Sequence, residues 1–364
     1  MTTPSGDTSP IPPVSMTTET ASVLEQHRFD VTALERYLGD HIEGFTAPVH
    51  VGQVRGGMSN PTFVLNDGAG KRYVLRKKPP GQLLPSAHAV DREFRVISAL
   101  WTTDVPVAKP YVLCQDPTII GTDFYMMDFV EGRIFRDLRL PDMTPAQRHE
   151  IYQAMVDVMA KLHQIDFRAV GLEDYGRVGG YMTRQLSLWT QQYDVTKTDD
   201  LPTMEKLMAW LPEHLPDDTE TTITHGDFRL ENMIFHPTEP RVLAMVDWEL
   251  STLGAPLTDL AYNCLPYYFD DDLRGDLIGL DDSSYGIPLE AEYVTWYGER
   301  TGRASIPEWT FYVVFSLFRL AAIVQGVYKR GLDGNASSPE AITRGHQCRQ
   351  LATAAWELVE RGGI

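Results

Sequence analysis

Asp227, Asn232 and Asp247 are the residues whose types and spacing point to chemistry. The first two lie in His225-Gly226-Asp227-Phe228-Arg229-Leu230-Glu231-Asn232, and the third follows the apolar strand Val242 to Val246. A carboxylate, a carboxamide five residues on and a second carboxylate after a strand suit phosphoryl transfer. That reaction asks little covalent chemistry of a protein. It asks for an oriented hydroxyl, one or two held magnesium ions and compensation of charge on the moving group. Asp227 can accept the proton of the attacking hydroxyl. Asn232 offers a hard oxygen to magnesium, Asp247 a charged oxygen between metal and phosphates, and Glu249 a second acidic ligand. Arg229 can grip the transferred phosphate with its planar fork of donors.

The composition fits that chemistry without choosing a substrate. The 364 residues can fill two packed lobes around one cleft. A hydrophobic content of 43% and a charged content of 23% are those of an ordinary globular protein. The net charge of −18 argues against nucleic acid or an anionic membrane as main partner. Cys114, Cys264 and Cys348 are far apart and odd in number, so they read as reduced thiols in a cytoplasmic protein. Trp309 to Tyr328 is the most apolar long stretch. Arg319 and Gln325 interrupt it, so it reads as a buried helix rather than a membrane span.

Stepping along the chain places the elements that must hold these groups. Residues 1–20 read as a disordered tail. A short helix is expected over Val31 to Leu38, with Asp30 as its N-cap. Three antiparallel strands follow, Val49 to Val54, Thr62 to Leu65 and Arg72 to Lys77, the last two joined by the tight Asn66-Asp67-Gly68 turn. The Gly56-Gly57 turn, Ser59 and Asn60 can lie over nucleotide phosphates, or form a plain hairpin. Alternation along the third strand puts Val74 and Arg76 on one face and Leu75 and Lys77 on the other. Arg76 is the preferred phosphate cation and Lys77 the competitor. The helix His88 to Trp101 carries Glu93, a candidate partner for that cation or an ordinary surface acid. Strands over Val105 to Asp116 and Asp123 to Val130 are expected to complete the small sheet, and Met127, Asp128 and Phe129 lie in the expected hinge, whose backbone would meet the adenine edge. A long apolar-striped helix is expected over Thr144 to Ile165.

The insert between Asp166 and His225 reads as two helices, around Tyr181 to Tyr193 and Met204 to Leu211. Tyr181, Arg184 and Trp189 on it are candidate substrate contacts, with ordinary core packing as the alternative for the aromatics. Asp259 is either a brace for the catalytic-loop backbone or a helix N-terminal acid. Helices are expected over Leu289 to Thr301, Pro307 to Arg330 and Ser338 to Arg361.

The catalytic string resembles the H-R-D-L-x-x-x-N loop of protein kinases, and more closely the H-G-D-x-x-x-x-N loop of the aminoglycoside phosphotransferase superfamily. Within that superfamily, Tyr73-Val74-Leu75-Arg76-Lys77-Lys78-Pro79-Pro80-Gly81, Ala89-Val90-Asp91-Arg92-Glu93-Phe94 and Glu131-Gly132-Arg133-Ile134-Phe135 resemble one branch. That branch is the kinase-like domain fused to acyl-CoA dehydrogenases. Ala255 departs from the Gly-Asp-Pro common in it. The resemblance implies an α+β, bilobal protein-kinase-like fold, with a nucleotide-binding lobe over 21–131 and a catalytic, substrate-binding lobe over 132–364. It implies transfer of the γ-phosphoryl of ATP or GTP, with Mg2+, to a hydroxyl of a small molecule. A hydroxyacyl compound is the expected acceptor. An antibiotic kinase and a non-catalytic nucleotide-binding module are the alternatives. No A-P-E segment follows Asp247, which disfavours a protein substrate.

Overall fold

The computed structural model describes residues 20–54, 60–79, 89–217, 220–270, 276–280, 282–334 and 339–362. Gly56, Gly57 and Ser59 of the expected phosphate turn, and residues 1–19 of the expected tail, lie outside the described residues.

A six-stranded antiparallel sheet forms the small lobe. It contains β1 (Thr20–Ala21), β2 (His50–Val54), β3 (Thr62–Asn66), β4 (Arg72–Lys77), β5 (Pro110–Cys114) and β6 (Phe124–Asp128), in the order β1-β2-β3-β4-β6-β5. Strand alternation gives the sheet two distinct faces. Phe63, Leu65, Tyr73, Leu75, Phe124 and Met126 pack with Leu34 and Leu38 of helix α1 (Val31–His41). The Asp30 side chain caps α1 by accepting from the Ala33 N–H at 3.0 Å. On the opposite face Val74, Tyr125 and Met127 join the core that includes helix α2 (Val90–Leu100). The β3–β4 turn is tied by Asp67, whose Oδ1 accepts from the N–H groups of Ala69 and Lys71.

The remainder is mainly helical. A single turn, α3 (Pro117–Ile120), precedes β6. Helix α4 (Pro145–His163) opens with a capping box between Thr144 and Gln147. Next come α5 (Tyr181–Thr196), α6 (Pro202–Glu213), α7 (Leu257–Asn263), α8 (Glu290–Thr301), α9 (Trp309–Leu332) and α10 (Gly345–Glu360). Among the described residues α9 is the one helix long and apolar enough to cross a membrane, and most of it is buried in the protein. Two short ribbons carry the loops of interest. Strand β7 (Thr222–Thr224) pairs with β10 (Thr252–Gly254), and β8 (Met233–Phe235) pairs with β9 (Val242–Met245).

Three expectations shift. The strand expected over Val105 to Asp116 is paired only from Pro110, and its pairing with β6 is irregular between Pro110 and Val112. Strands β7, β8 and β10 were not expected, because three residues are too few for alternation to show. The last helix is broken: a 3-10 segment over Pro339–Arg344 precedes α10. At Gly345 a Cβ would lie 2.7 Å from the Tyr328 ring, so the start of α10 packs closely on α9.

Candidate active site

The β7–β10 and β8–β9 ribbons bring the two halves of the site together. Met233 pairs with Met245, and the Val246 N–H donates to the Asn232 carbonyl at 2.9 Å. Asn232 therefore sits beside the residue that precedes Asp247. His225 reinforces this join: its Nε2 donates to the Val246 carbonyl at 3.0 Å, while its Nδ1 accepts from the Asp227 N–H at 3.2 Å. Both ring nitrogens of this fully buried histidine are occupied by backbone, so its work is positional. Trp248 closes over it, with ring centroids 4.7 Å apart.

The turn at Gly226 demands glycine. Its φ is +81°, and a Cβ there would lie 2.6 Å from the Leu250 carbonyl oxygen. Asp259, near the start of α7, accepts from the N–H groups of His225 and Gly226 at 2.6 and 2.9 Å, one on each carboxylate oxygen. Of the two sequence readings of Asp259, the structure shows the brace. Burial pushes its pKa up, but the hydrogen bond and charge of His163, the charge of His225 and the backbone bond outweigh burial, so the net shift is downward. Arg319 of α9 was missed as part of the site. It donates to the Gly226 carbonyl at 2.9 Å and sits between the Trp189 and Tyr262 rings. It had drawn notice only as an interruption in an apolar helix, and nothing in that pattern says where its guanidinium points.

Asp227 is held on one side. Its Oδ2 accepts from Asn232 Nδ2 at 3.0 Å and pairs with Arg229 at 3.0 Å. Arg229 also reaches Glu231 at 3.0 Å. Asn232 Nδ2 donates to the Asp227 carbonyl as well, at 2.8 Å. Both bonds engage the amide nitrogen, which turns the amide oxygen away from Asp227. Asp247 adopts a left-handed backbone, φ +67°, and its side chain is 33% exposed. Glu249 lies in the following turn, partly buried, and its charge is felt by Arg76.

Arg76 links the lobes. Its Nε lies 3.2 Å from Glu93 Oε2 and its other end 3.3 Å from Asp247 Oδ1. Glu93 is buried and accepts from Asn60 Nδ2 at 2.5 Å and from Tyr125 OH at 2.9 Å. Asn60, expected over the phosphates, thus serves Glu93. Tyr125 was not singled out from sequence. It pairs with Arg76 across β4–β6, so register brings it to the ion pair. Burial pushes the Glu93 carboxyl up from its ordinary value, and Arg76, Tyr125 and Asn60 pull it part of the way back. Burial opposes the Arg76 charge, but Tyr125, Glu93, Asp247 and Glu249 more than offset this and raise its pKa. Lys77 points to the other face, 6.0 Å from the Phe29 and Phe63 rings, and burial lowers its pKa.

The remaining candidates stand apart from this constellation. In the hinge, the Asp128 N–H donates to the Lys109 carbonyl at 2.8 Å and the Phe129 N–H to that of Arg72 at 3.3 Å. These two N–H donors are engaged by neighbouring backbone carbonyls. Met127 is buried in β6 between Val74 and Pro110. Arg184 spends its guanidinium on the carbonyls of Gly179 and Arg177, the latter at 2.9 Å. The side chain thus folds back along the N-terminus of its own helix, where the expected clamp would have it reach outward. Tyr181 is buried, with Thr258 and Thr224 as polar neighbours, so it is core rather than wall. Trp189 is partly buried, under Arg319.

Comparison with known proteins agrees with this geometry. A family profile described as "Phosphotransferase enzyme family" matches residues 50–305. The mouse (Mus musculus) acyl-CoA dehydrogenase family member 11 is 46% identical over 95% of this chain and 45% of its own length. Member 10 from the same animal is 46% identical over 91% of this chain and 31% of its own length. The chain thus spans less than half of these curated relatives. A solved Ralstonia eutropha protein, named as a candidate aminoglycoside phosphotransferase, is 48% identical, with a TM-score of 0.85 over 92% of this chain and 99% of that one. The Plasmodium vivax ethanolamine kinase shares the fold at 13% identity, with a TM-score of 0.57 over 91% of this chain and 89% of that one. With the His225–Asn232 loop, the Arg76–Glu93 pair and Asp247 brought together in a kinase-like fold, the chain belongs to the phosphotransferase enzyme family.

Proposed function

We propose that this protein transfers the γ-phosphoryl group of ATP or GTP to a hydroxyl of a small molecule, and that the acceptor is a hydroxyacyl compound, free or as a thioester. The convergence of Asp227, Asn232, Asp247 and Arg76 carries the transfer reading. Asp227 takes the proton of the acceptor hydroxyl on its free carboxylate oxygen. The acceptor oxygen bonds to phosphorus as the bridging bond to the β-phosphate breaks, and a nucleoside diphosphate leaves. Arg76 and Arg229 offer cationic forks to the phosphates.

Magnesium fits the residues present. The outward amide oxygen of Asn232 and the half-open Asp247 carboxylate would hold it, with Glu249 adjacent. Among the described residues no group of three or more histidine, cysteine or acidic side chains could hold a metal by itself. One or two carboxylates completed by substrate phosphates is the usual magnesium arrangement. When bound, the ion neutralises charge on the phosphoryl group.

The acyl reading draws support from the relatives, which are acyl-CoA dehydrogenase family members far longer than this chain. Attachment to such an enzyme suggests a shared set of acyl substrates. The three cysteines are unpaired and buried, in keeping with a reducing, cytoplasmic setting. Steady-state assays of 3- and 4-hydroxyacyl compounds against aminoglycoside sugars test the acceptor. A higher kcat/KM for the acyl compounds is expected. A higher value for the sugars replaces the acyl reading with an antibiotic kinase.

A further inference from the structure

Helix α2 presents Glu93 to the cleft, and its neighbours on the same helix fasten it to the large lobe. Arg92 donates to the Tyr175 carbonyl at 2.8 Å and to the Ser251 carbonyl at 3.4 Å. Its guanidinium lies 4.2 Å from the Tyr175 ring centroid. Arg95, one turn of side chain further on, donates to the Gly171 carbonyl at 2.9 Å and pairs with Asp174. Tyr175 is buried, and its hydroxyl lies 2.6 Å from Ser251 Oγ. Ser251 Oγ donates onward to the Trp248 carbonyl at 2.6 Å, so the tyrosine hydroxyl is the donor in the shared bond. Trp248 directly follows Asp247. The loop itself is seated flush on β10: a Cβ on Gly176 would lie 2.7 Å from Thr252 Oγ1 and 2.8 Å from the Leu253 nitrogen.

We propose that Tyr175 is a positioning residue of the phosphate pole. Together with Arg92 and Ser251 it latches α2 to the turn that follows Asp247. In phosphoryl-transfer enzymes of this architecture, the strand-cation to helix-glutamate pair and the metal-binding aspartate must be in place together, and movement of that helix is what regulated members control. Here α2 is tied to the Asp247 turn twice. One tie is direct, Glu93 to Arg76 to Asp247. The other runs through the large lobe, Arg92 to Tyr175 to Ser251 to Trp248. The second tie needs no nucleotide, so it keeps Glu93, Arg76 and Asp247 in register before substrate arrives.

The inference rests on the phosphotransferase reading, and one experiment separates the two. Magnesium-ATP and magnesium-GTP are titrated calorimetrically into the full chain, as wild type, Tyr175→Phe, Ser251→Ala and the double variant, with melting temperatures recorded alongside. The wild type is expected to bind one of the nucleotides. Each single variant is expected to bind it about 3- to 10-fold more weakly, the usual worth of one hydrogen bond. The double variant is expected to match the worse single one, since each already breaks the Tyr175–Ser251 bond on which the tie depends. With an acceptor in hand, kcat falls and the acceptor KM does not. Wild-type affinity in the variants, with only the melting temperature lowered, overturns the latch and leaves the phosphotransferase reading standing. A wild type that binds neither nucleotide overturns both. Fully additive losses show that the hydroxyls act separately and overturn the latch as described.

Discussion

The phosphate pole and the insert beside it are built by opposite rules. At the pole, the local contacts of Asp227 with Arg229 and Asn232 are set in place by partners far away in the chain: Arg76 meets Asp247 across 171 residues, and Asp259 holds His225 and Gly226 from another element. On α5 the side chains bond mainly to their own neighbours, apart from Arg319 over Trp189 and Gln325 at the Thr196 carbonyl. Trp189 donates to Gln185, Gln191 to Ser187, Thr196 to Gln192, and Arg184 to carbonyls just before the helix. Long-range pairing makes the geometry of the pole a property of the whole fold. Local pairing leaves the insert able to change its surface without disturbing the chemistry.

The comparison breaks first at Asp227. Asp227→Asn keeps the fold and nucleotide binding while turnover falls about 10²- to 10⁴-fold, the usual worth of a general base. Near-normal turnover would remove the base from the pole. The brace comes next. Asp259→Asn loses charge-assisted bonds to two buried N–H groups and to His163, which costs about 3–5 kcal/mol in denaturant unfolding near neutral pH. Because its pKa is lowered in the folded state, the Asp259 contribution is present above the unfolded value of about 3.9 and is lost as pH falls through the lower folded value. Stability of the variant should therefore decline less steeply on the acid side. Parallel acid profiles for the two proteins would contradict the brace.

The metal end of the pole gives a smaller effect. Magnesium with ATP at about 100 times its dissociation constant should stabilise the wild type by about 2.7 kcal/mol. Asp247→Ala should abolish most of the magnesium-dependent part of that gain. Equal thermal shifts in the two proteins would refute the metal role. The smallest effect belongs to the insert. Arg184→Ala should cost about 1 kcal/mol of stability, since its bonds are to loop carbonyls, and leave the acceptor KM within about twofold. A tenfold rise in KM for an acidic acceptor would return Arg184 to the substrate.

The same contrast explains what could be read in the chain beforehand. Strand β4 was placed to the residue, and Asp30 was recognised as a cap, because both signals are local. The proximity of Asp227, Asn232 and Asp247 was legible because two of them share an eight-residue string and the third follows at a strand end. Alternation separated Arg76 from Lys77 but did not say which face met α2. That depended on α1 covering the Leu75 face and α2 the Val74 face. Tyr125 entered the site through register with Arg76, which no local pattern records. The directions taken by Arg184 and Arg319 are not legible in the sequence, for one reason. A long side chain on a helix can reach back along its own element or out to another, and sequence position does not distinguish the two.

The most direct test of the account is product analysis with the full chain. Wild type and Asp227→Asn are incubated with magnesium and ATP or GTP and with hydroxyacyl acceptors. Nucleoside diphosphate and phosphorylated acceptor are then quantified together by mass spectrometry. The account predicts equimolar diphosphate and phosphorylated acceptor from the wild type, and loss of both by about 10²-fold or more in the variant. Equal product from the two proteins, or a wild type that yields diphosphate with no phosphorylated acceptor, would contradict it.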